Sequence, residues 1–137
     1  DKGRLSARTS AGETKVQGSP LNDGTWHHAV LVVAPEARTL ADITVYADGQ
    51  ALPWVDKAAS DKPVVAKMGI HGLALAGPHR PVWREQKLGP FIHFDGAIDD
   101  FAAWYRALSR EEIETLYEAG LMGQNASQVD RTWRARK

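Results

Sequence analysis

Residues 43–52, ITVYADGQAL, constrain the fold more tightly than any other stretch. Ile43, Val45 and Ala47 alternate with Thr44 and Tyr46, the period of a strand with one buried face. The alternation stops at Asp48-Gly49, a dipeptide suited to the positive φ angles of a two-residue hairpin turn. QALPWV then reads as the returning strand, and Pro53, which has no N–H to give to a ladder, places it near an edge. A chain with this hairpin must build an antiparallel sheet around it.

The rest of the chain adds short strands. WHHAVLVVA is β-branched and aromatic, bounded by Asp23-Gly24 before it and Pro35 after it. GRLSART, with Leu5 and Ala7 on one side, and ETKVQG are shorter candidates, and VVAKM and GLALAG are two more. Residues 56–63, DKAASDKP, read as a polar loop. In FIHFDGAIDDFAAWYRAL, Ile98 and Phe101 share a face only if the strand bulges near Asp99 and Asp100. LSREEIETLYEAG is a helix: Ser109 and Glu112 form a capping box, Leu108 and Ile113 are spaced as a hydrophobic staple, and Gly120 supplies the stop. Ile113, Leu116 and Tyr117 make its apolar stripe. Residues 123–137 are basic and without apolar periodicity, and are expected to form a mobile tail after a domain over 1–122. Many short strands and one peripheral helix predict an all-β fold, an antiparallel two-sheet β-sandwich with one short C-terminal helix.

Composition removes several function classes. A chain of 137 residues suits one domain, large enough to bury roughly two thirds of its unfolded surface. Its 17 basic and 17 acidic residues cancel, which argues against nucleic acid, since phosphate binding needs excess positive charge. Without cysteine there is no disulfide, thiolate nucleophile or zinc-thiolate site. No apolar run is long enough to insert across a bilayer. The opening DKGRLSART, with neither Met nor a signal peptide, reads as the interior of a longer protein, a mature product or a trimmed piece.

Three pieces in order, DGTWHHAVLVV, ITVYADGQAL and FDGAIDDFAAWYRALSREEIETLYEAG, resemble the laminin-G-like, concanavalin A-like jelly-roll superfamily that includes the pentraxins. The first is similar to its Gly-x-Trp-His-His strand, the second to its LYVDG hairpin, and the third to its Gly-x-Ile-Asp strand followed by an Arg-Ala-Leu-Ser helix start. The likeness spans about residues 3 to 120. It implies a jelly roll, and it implies that the N-terminal strands of the sandwich are missing, to be supplied by a preceding segment or by a partner chain.

On a strand His27 and His28 point to opposite faces, so they cannot share a metal; Trp26 is expected to pack and the histidines to hydrogen-bond or lie at a sheet surface. Asp99 and Asp100 likewise diverge, and no alternating carboxylates, Ser–His–Asp set or phosphate loop is readable, so the chain is expected not to be an enzyme. The resemblance makes Asp99 structural. In pentraxins acidic and amide residues fill the loop before the Gly-x-Ile strand; here Pro78, His79 and Arg80 replace oxygen donors, and Glu85, Gln86 and Asp95 leave only a single calcium ion open.

The loop 77–90, GPHRPVWREQKLGP, is the ligand candidate. His79, Arg80, Trp83 and Arg84 combine a stacking ring with forks that bind hydroxyls or carboxylates, and Trp54 offers a second ring. The alternative is that Trp83 tucks under its own loop. The expected function is non-catalytic, lectin-like recognition of a glycan or protein surface in a secreted, periplasmic or cell-surface setting. The competing expectation is a structural or subunit-interaction domain with no glycan ligand.

Overall fold

A computed structural model describes residues 3–9, 12–18, 20–55 and 96–135. The chain forms two units, residues 1–66 with 102–137 and residues 67–101. All the regular elements described belong to the first. They are strands β1 (Ser6–Thr9), β2 (Gly12–Lys15), β3 (Ala29–Val33), β4 (Ile43–Ala47) and β5 (Gln50–Leu52), a 3-10 turn over Leu40–Asp42, and helices α1 (Arg110–Leu121) and α2 (Ala126–Ala135).

The antiparallel prediction holds at every described pairing. β1 pairs with β2, from Ser6↔Lys15 to Thr9↔Gly12. β3, β4 and β5 form a second sheet in that order, with Ala29↔Ala47 through Val33↔Ile43 on one side and Ala47↔Gln50 through Val45↔Leu52 on the other. The β4–β5 turn is the one its sequence specifies: Asp48 and Gly49 take φ of 50° and 76°. A bridge between Val16 and Trp54 ties the chain after β2 to the chain after β5.

β4 has apolar neighbours on both of its faces because its residues alternate. Ile43 and Val45 join Val16 and Leu40 in one buried cluster, with Leu5, Leu52 and Trp54 against it. Tyr46 faces the other way and, with Val30 and Val32 of β3, packs on a cluster made by Leu108, Ile113, Leu116, Ala119 and Val129. One sheet therefore separates a small strand-side core from a helix-side core, and the described elements form a mixed arrangement of antiparallel strands and two short helices.

α1 begins as its sequence dictates. The Ser109 hydroxyl accepts the Glu112 N–H, and the Glu112 carboxylate accepts the Ser109 N–H at 2.9 Å. Leu108 and Ile113 are both buried in the same cluster, as the staple spacing requires. The stop comes three residues later than Gly120. Gly123 takes φ 74°. Gln124 N donates to Ala119 O and Gly123 N to Gly120 O, both at 2.9 Å, which closes a Schellman motif and leaves Gly120 inside the helix.

The expected tail also departs from its reading, since Ala126–Ala135 is helical. Asn125 and Gln128 cap it reciprocally, Asn125 Oδ1 accepting from Gln128 N at 3.1 Å and Gln128 Oε1 from Asn125 N at 2.8 Å. Ala126, Val129 and Trp133, spaced at three and four residues, supply the apolar stripe that docks on α1.

In the second unit the described residues are 96–101, and they are irregular and exposed rather than a strand. Asp100 takes φ 51°, in the left-handed region, at the point where a bulge was expected. Ile98 and Phe101 are both about half exposed, at 49% and 54%, so neither serves as a core residue there.

Candidate functional site

The polar centre of the described structure is built around His27. Asp23-Gly24-Thr25 makes a tight turn because the Asp23 carboxylate accepts from its own chain two residues on: Thr25 N donates to Oδ1 at 2.9 Å and the Thr25 hydroxyl at 2.7 Å. The chain then extends into β3. His27, on the opposite parity from Trp26 and His28, lies between this turn and the Asp48-Gly49 hairpin turn. Its Nε2 is 3.1 Å from Asp23 Oδ1 and 3.1 Å from Thr25 Oγ1, and its Nδ1 is 2.8 Å from Asp48 Oδ2. Asp48 uses its other oxygen on the next residue, accepting His28 N at 2.9 Å, while Asp48 N donates to His28 O at 2.8 Å.

These contacts set the proton affinities. The Asp48 and Asp23 carboxylates beside the two ring nitrogens raise the pKa of His27. The hydrogen bonds from Thr25, with His27 adding to them, hold Asp23 down at about 2. His28 goes the other way. Its ring is half-buried and stacks on Tyr117 at 6.1 Å between centroids, its Nδ1 makes no hydrogen bond among the described residues, and burial lowers its pKa.

A hydroxyl, an imidazole and a carboxylate in sequence resemble a nucleophile with its base. The second carboxylate changes the chemistry. The Thr25 hydroxyl donates its hydrogen bond to Asp23, and the Asp48 and Asp23 carboxylates together favour the imidazolium form of His27, which cannot accept a proton from a nucleophile. The arrangement is suited to joining two turns. Among the described residues no three His, Asp or Glu side chains are grouped to hold a metal ion.

Of the residues singled out for ligand binding, His79, Arg80, Trp83 and Arg84 lie outside the described residues, as do Glu85, Gln86 and Asp95. Trp54 is described, and it packs, partly buried, against the Val16, Leu40, Ile43 and Val45 cluster. Trp26, expected to pack, is 70% exposed instead. Of the expectation that the histidines hydrogen-bond or lie at a sheet surface, the first part holds for the His27 ring, while His28 packs on Tyr117 with its Nδ1 unbonded among the described residues. Asp99 Oδ1 accepts the N–H of Asp100 at 2.8 Å, a local backbone role. Asp23, Thr25 and Asp48 were missed as site residues because both Asp-Gly dipeptides read only as turns; the polar Thr25 after the first was the available signal.

A second feature is apolar. On the strand-side face of the sheet, Val45 and Ile43 of β4 are 4% exposed, whereas their cross-strand neighbours Leu31 and Val33 of β3 are 53% and 44% exposed. Because His28 and Asp48 are a hydrogen-bonded pair, the alternation of an antiparallel ladder turns the N–H and C=O groups of Ala29, Leu31 and Val33 away from β4.

The chain is similar to the solved structure of an S-layer domain-containing protein (residues 221–444) from Clostridium thermocellum, at 26% identity and a TM-score of 0.50. The likeness covers 77% of this chain and 46% of that one, so the chain spans about half of that structure. No family model matches the chain, and no curated protein matches it.

Proposed function

We propose that the chain is a non-catalytic interaction domain of a cell-surface protein, part of a laminin-G-like sandwich whose open sheet face is covered by a further segment or subunit. The observation that carries this reading is the contrast across β3 and β4: Leu31 and Val33 are exposed on a face where Val45 and Ile43 are buried. Exposed apolar side chains next to outward-turned backbone groups suit strand addition. The S-layer neighbour supports a surface setting, and its greater length supports a larger parent assembly. The resemblance of the Trp-His-His, Asp-Gly and Gly-x-Ile-Asp segments to the jelly-roll superfamily supports the same completion. Recognition of a glycan by the 77–90 loop is the finer alternative; the packing of Trp54 against the core draws the reading toward the structural role.

The test compares the chain with a Leu31→Lys/Val33→Lys variant. The parent is expected to self-associate in sedimentation equilibrium or to bind an apolar fluorescent dye, and the variant to do neither while keeping its circular dichroism. A monomeric parent that binds no dye, yet binds an arrayed glycan in a manner lost in Trp83→Ala, would replace this reading with the lectin.

A further inference from the structure

Both ring nitrogens of His27 stand within hydrogen-bond reach of carboxylate oxygens, and a neutral imidazole has only one N–H to give. The geometry therefore selects the doubly protonated ring. It also holds a substitute for the other state, because the Thr25 hydroxyl lies 3.1 Å from Nε2 and 2.7 Å from Asp23 Oδ1. With the ring charged, Nε2–H and the Thr25 O–H both point to Asp23. When the Nε2 proton leaves, its lone pair faces Asp23 Oδ1, and the Thr25 hydroxyl can turn to donate to it.

We infer that His27 is a proton-operated latch: charged, it ties the Asp23–Thr25 turn to the Asp48–Gly49 hairpin turn, and neutral, it keeps Asp48, releases Asp23 and takes the Thr25 hydroxyl in its place. Among the described residues, the titratable groups acting on the ring are Asp48 from the hairpin and Asp23 from the turn, both acidic. His28, next in the chain, shares Asp48 through its N–H. The latch sits where the chain enters β3, so the protonation of one side chain governs how firmly the start of that strand is held. This inference does not depend on what covers β3.

The experiment is a pH titration of the full chain by NMR, following the His27 ring nitrogens and the Asp23 carboxyl carbon. The His27 midpoint is expected above that of a free imidazole, about 6.5. The proton left after titration is expected on Nδ1, and the Asp23 carboxyl shift is expected to move with the same midpoint. Asp23→Asn, an exposed change, lowers the midpoint by removing the charge released at the second nitrogen. Thr25→Val raises it, because the neutral ring then loses its donor while the charged ring keeps both carboxylates. A midpoint at or below that of free imidazole, a final proton on Nε2, or a midpoint indifferent to both substitutions overturns the latch.

Discussion

Asp48 reaches back from the hairpin turn to His27, Oδ2 lying 2.8 Å from Nδ1, while its Oδ1 accepts the N–H of His28 at 2.9 Å. The residue that makes the turn thus also anchors the start of β3, the strand paired with β4. Its backbone sits at φ 50°, a region open to Asn and Asp more than to other non-glycine residues. The two roles separate by substitution. Asp48→Asn keeps the turn and loses the charge, Asp48→Gly keeps the turn and loses both hydrogen bonds, and Asp48→Ala loses both bonds and strains the backbone. Urea unfolding is expected to rank stability as Asp, Asn, Gly, Ala, with Ala lower than Asp by about 2–4 kcal/mol. Equal stability of the Gly and Asp forms would show the carboxylate to be idle.

Gly49, the second residue of that turn, tests the packing behind it. Its φ is 76°, and a Cβ placed there would come within 3.2 Å of Tyr117 Cδ1. Gly49→Ala combines left-handed strain with a crowded ring and is expected to cost about 1–3 kcal/mol in urea unfolding. Gly24→Ala has the strain alone, since nothing lies within 4 Å of its Cβ position, and is expected to cost less. If the two variants unfold together, Tyr117 moves aside freely.

Ser109→Ala removes the hydroxyl that accepts the Glu112 N–H and is expected to cost about 1 kcal/mol by thermal or urea unfolding. Glu112→Ala should cost at least as much, because Glu112 also makes a two-pronged pair with Arg106 at 2.6 and 2.8 Å. Loss confined to the Glu112 variant would assign the helix start to the ion pair and not to the cap.

Features set by neighbours in sequence were legible: the Asp48-Gly49 turn, the alternation of β4, the box at Ser109 and Glu112. Two local signals were misread. Gly120 and Gly123 are three residues apart, and only the position of the left-handed residue chooses between them. The Asn125–Gln128 cap was present in the tail but hidden by charge, and three apolar residues sufficed because α1 offers them a surface. The His27 clamp was not legible, since its partner is 21 residues away and its geometry exists only once β3 and β4 pair. The exposure of Leu31 and Val33 was equally hidden, because their alternation predicts burial regardless of whether the face is covered.

His27 and His28 should pull the pH dependence of stability in opposite directions. His27 has a raised folded pKa, so its contribution is full below the ordinary imidazole value of about 6.5 and is lost as pH rises through the folded value. Asp23, held at about 2, contributes above the ordinary carboxylate value and loses that contribution as pH falls toward its folded value. His28 has a lowered folded pKa, so its contribution is present above about 6.5 and lost as pH falls. His27→Gln is therefore expected to remove stability chiefly on the acid side of neutrality. The check is the urea midpoint against pH, and a His27→Gln deficit that grows with rising pH contradicts the assignment.

His28→Phe should stabilise the protein. The imidazole stacks on Tyr117 with an interplanar angle of 22°, a contact a phenyl ring can keep. Its Nδ1 is buried without a hydrogen bond among the described residues, and such an atom costs about 1–3 kcal/mol of desolvation that phenyl does not incur. The main-chain bonds between His28 and Asp48 are indifferent to the side chain. A gain of about 1 kcal/mol is expected near pH 8, rising toward pH 5, where the wild-type protein also resists protonating the buried ring. A loss of the same size at both pH values would mean that Nδ1 has a partner, and that the polar edge of His28 is part of what holds β3 against α1.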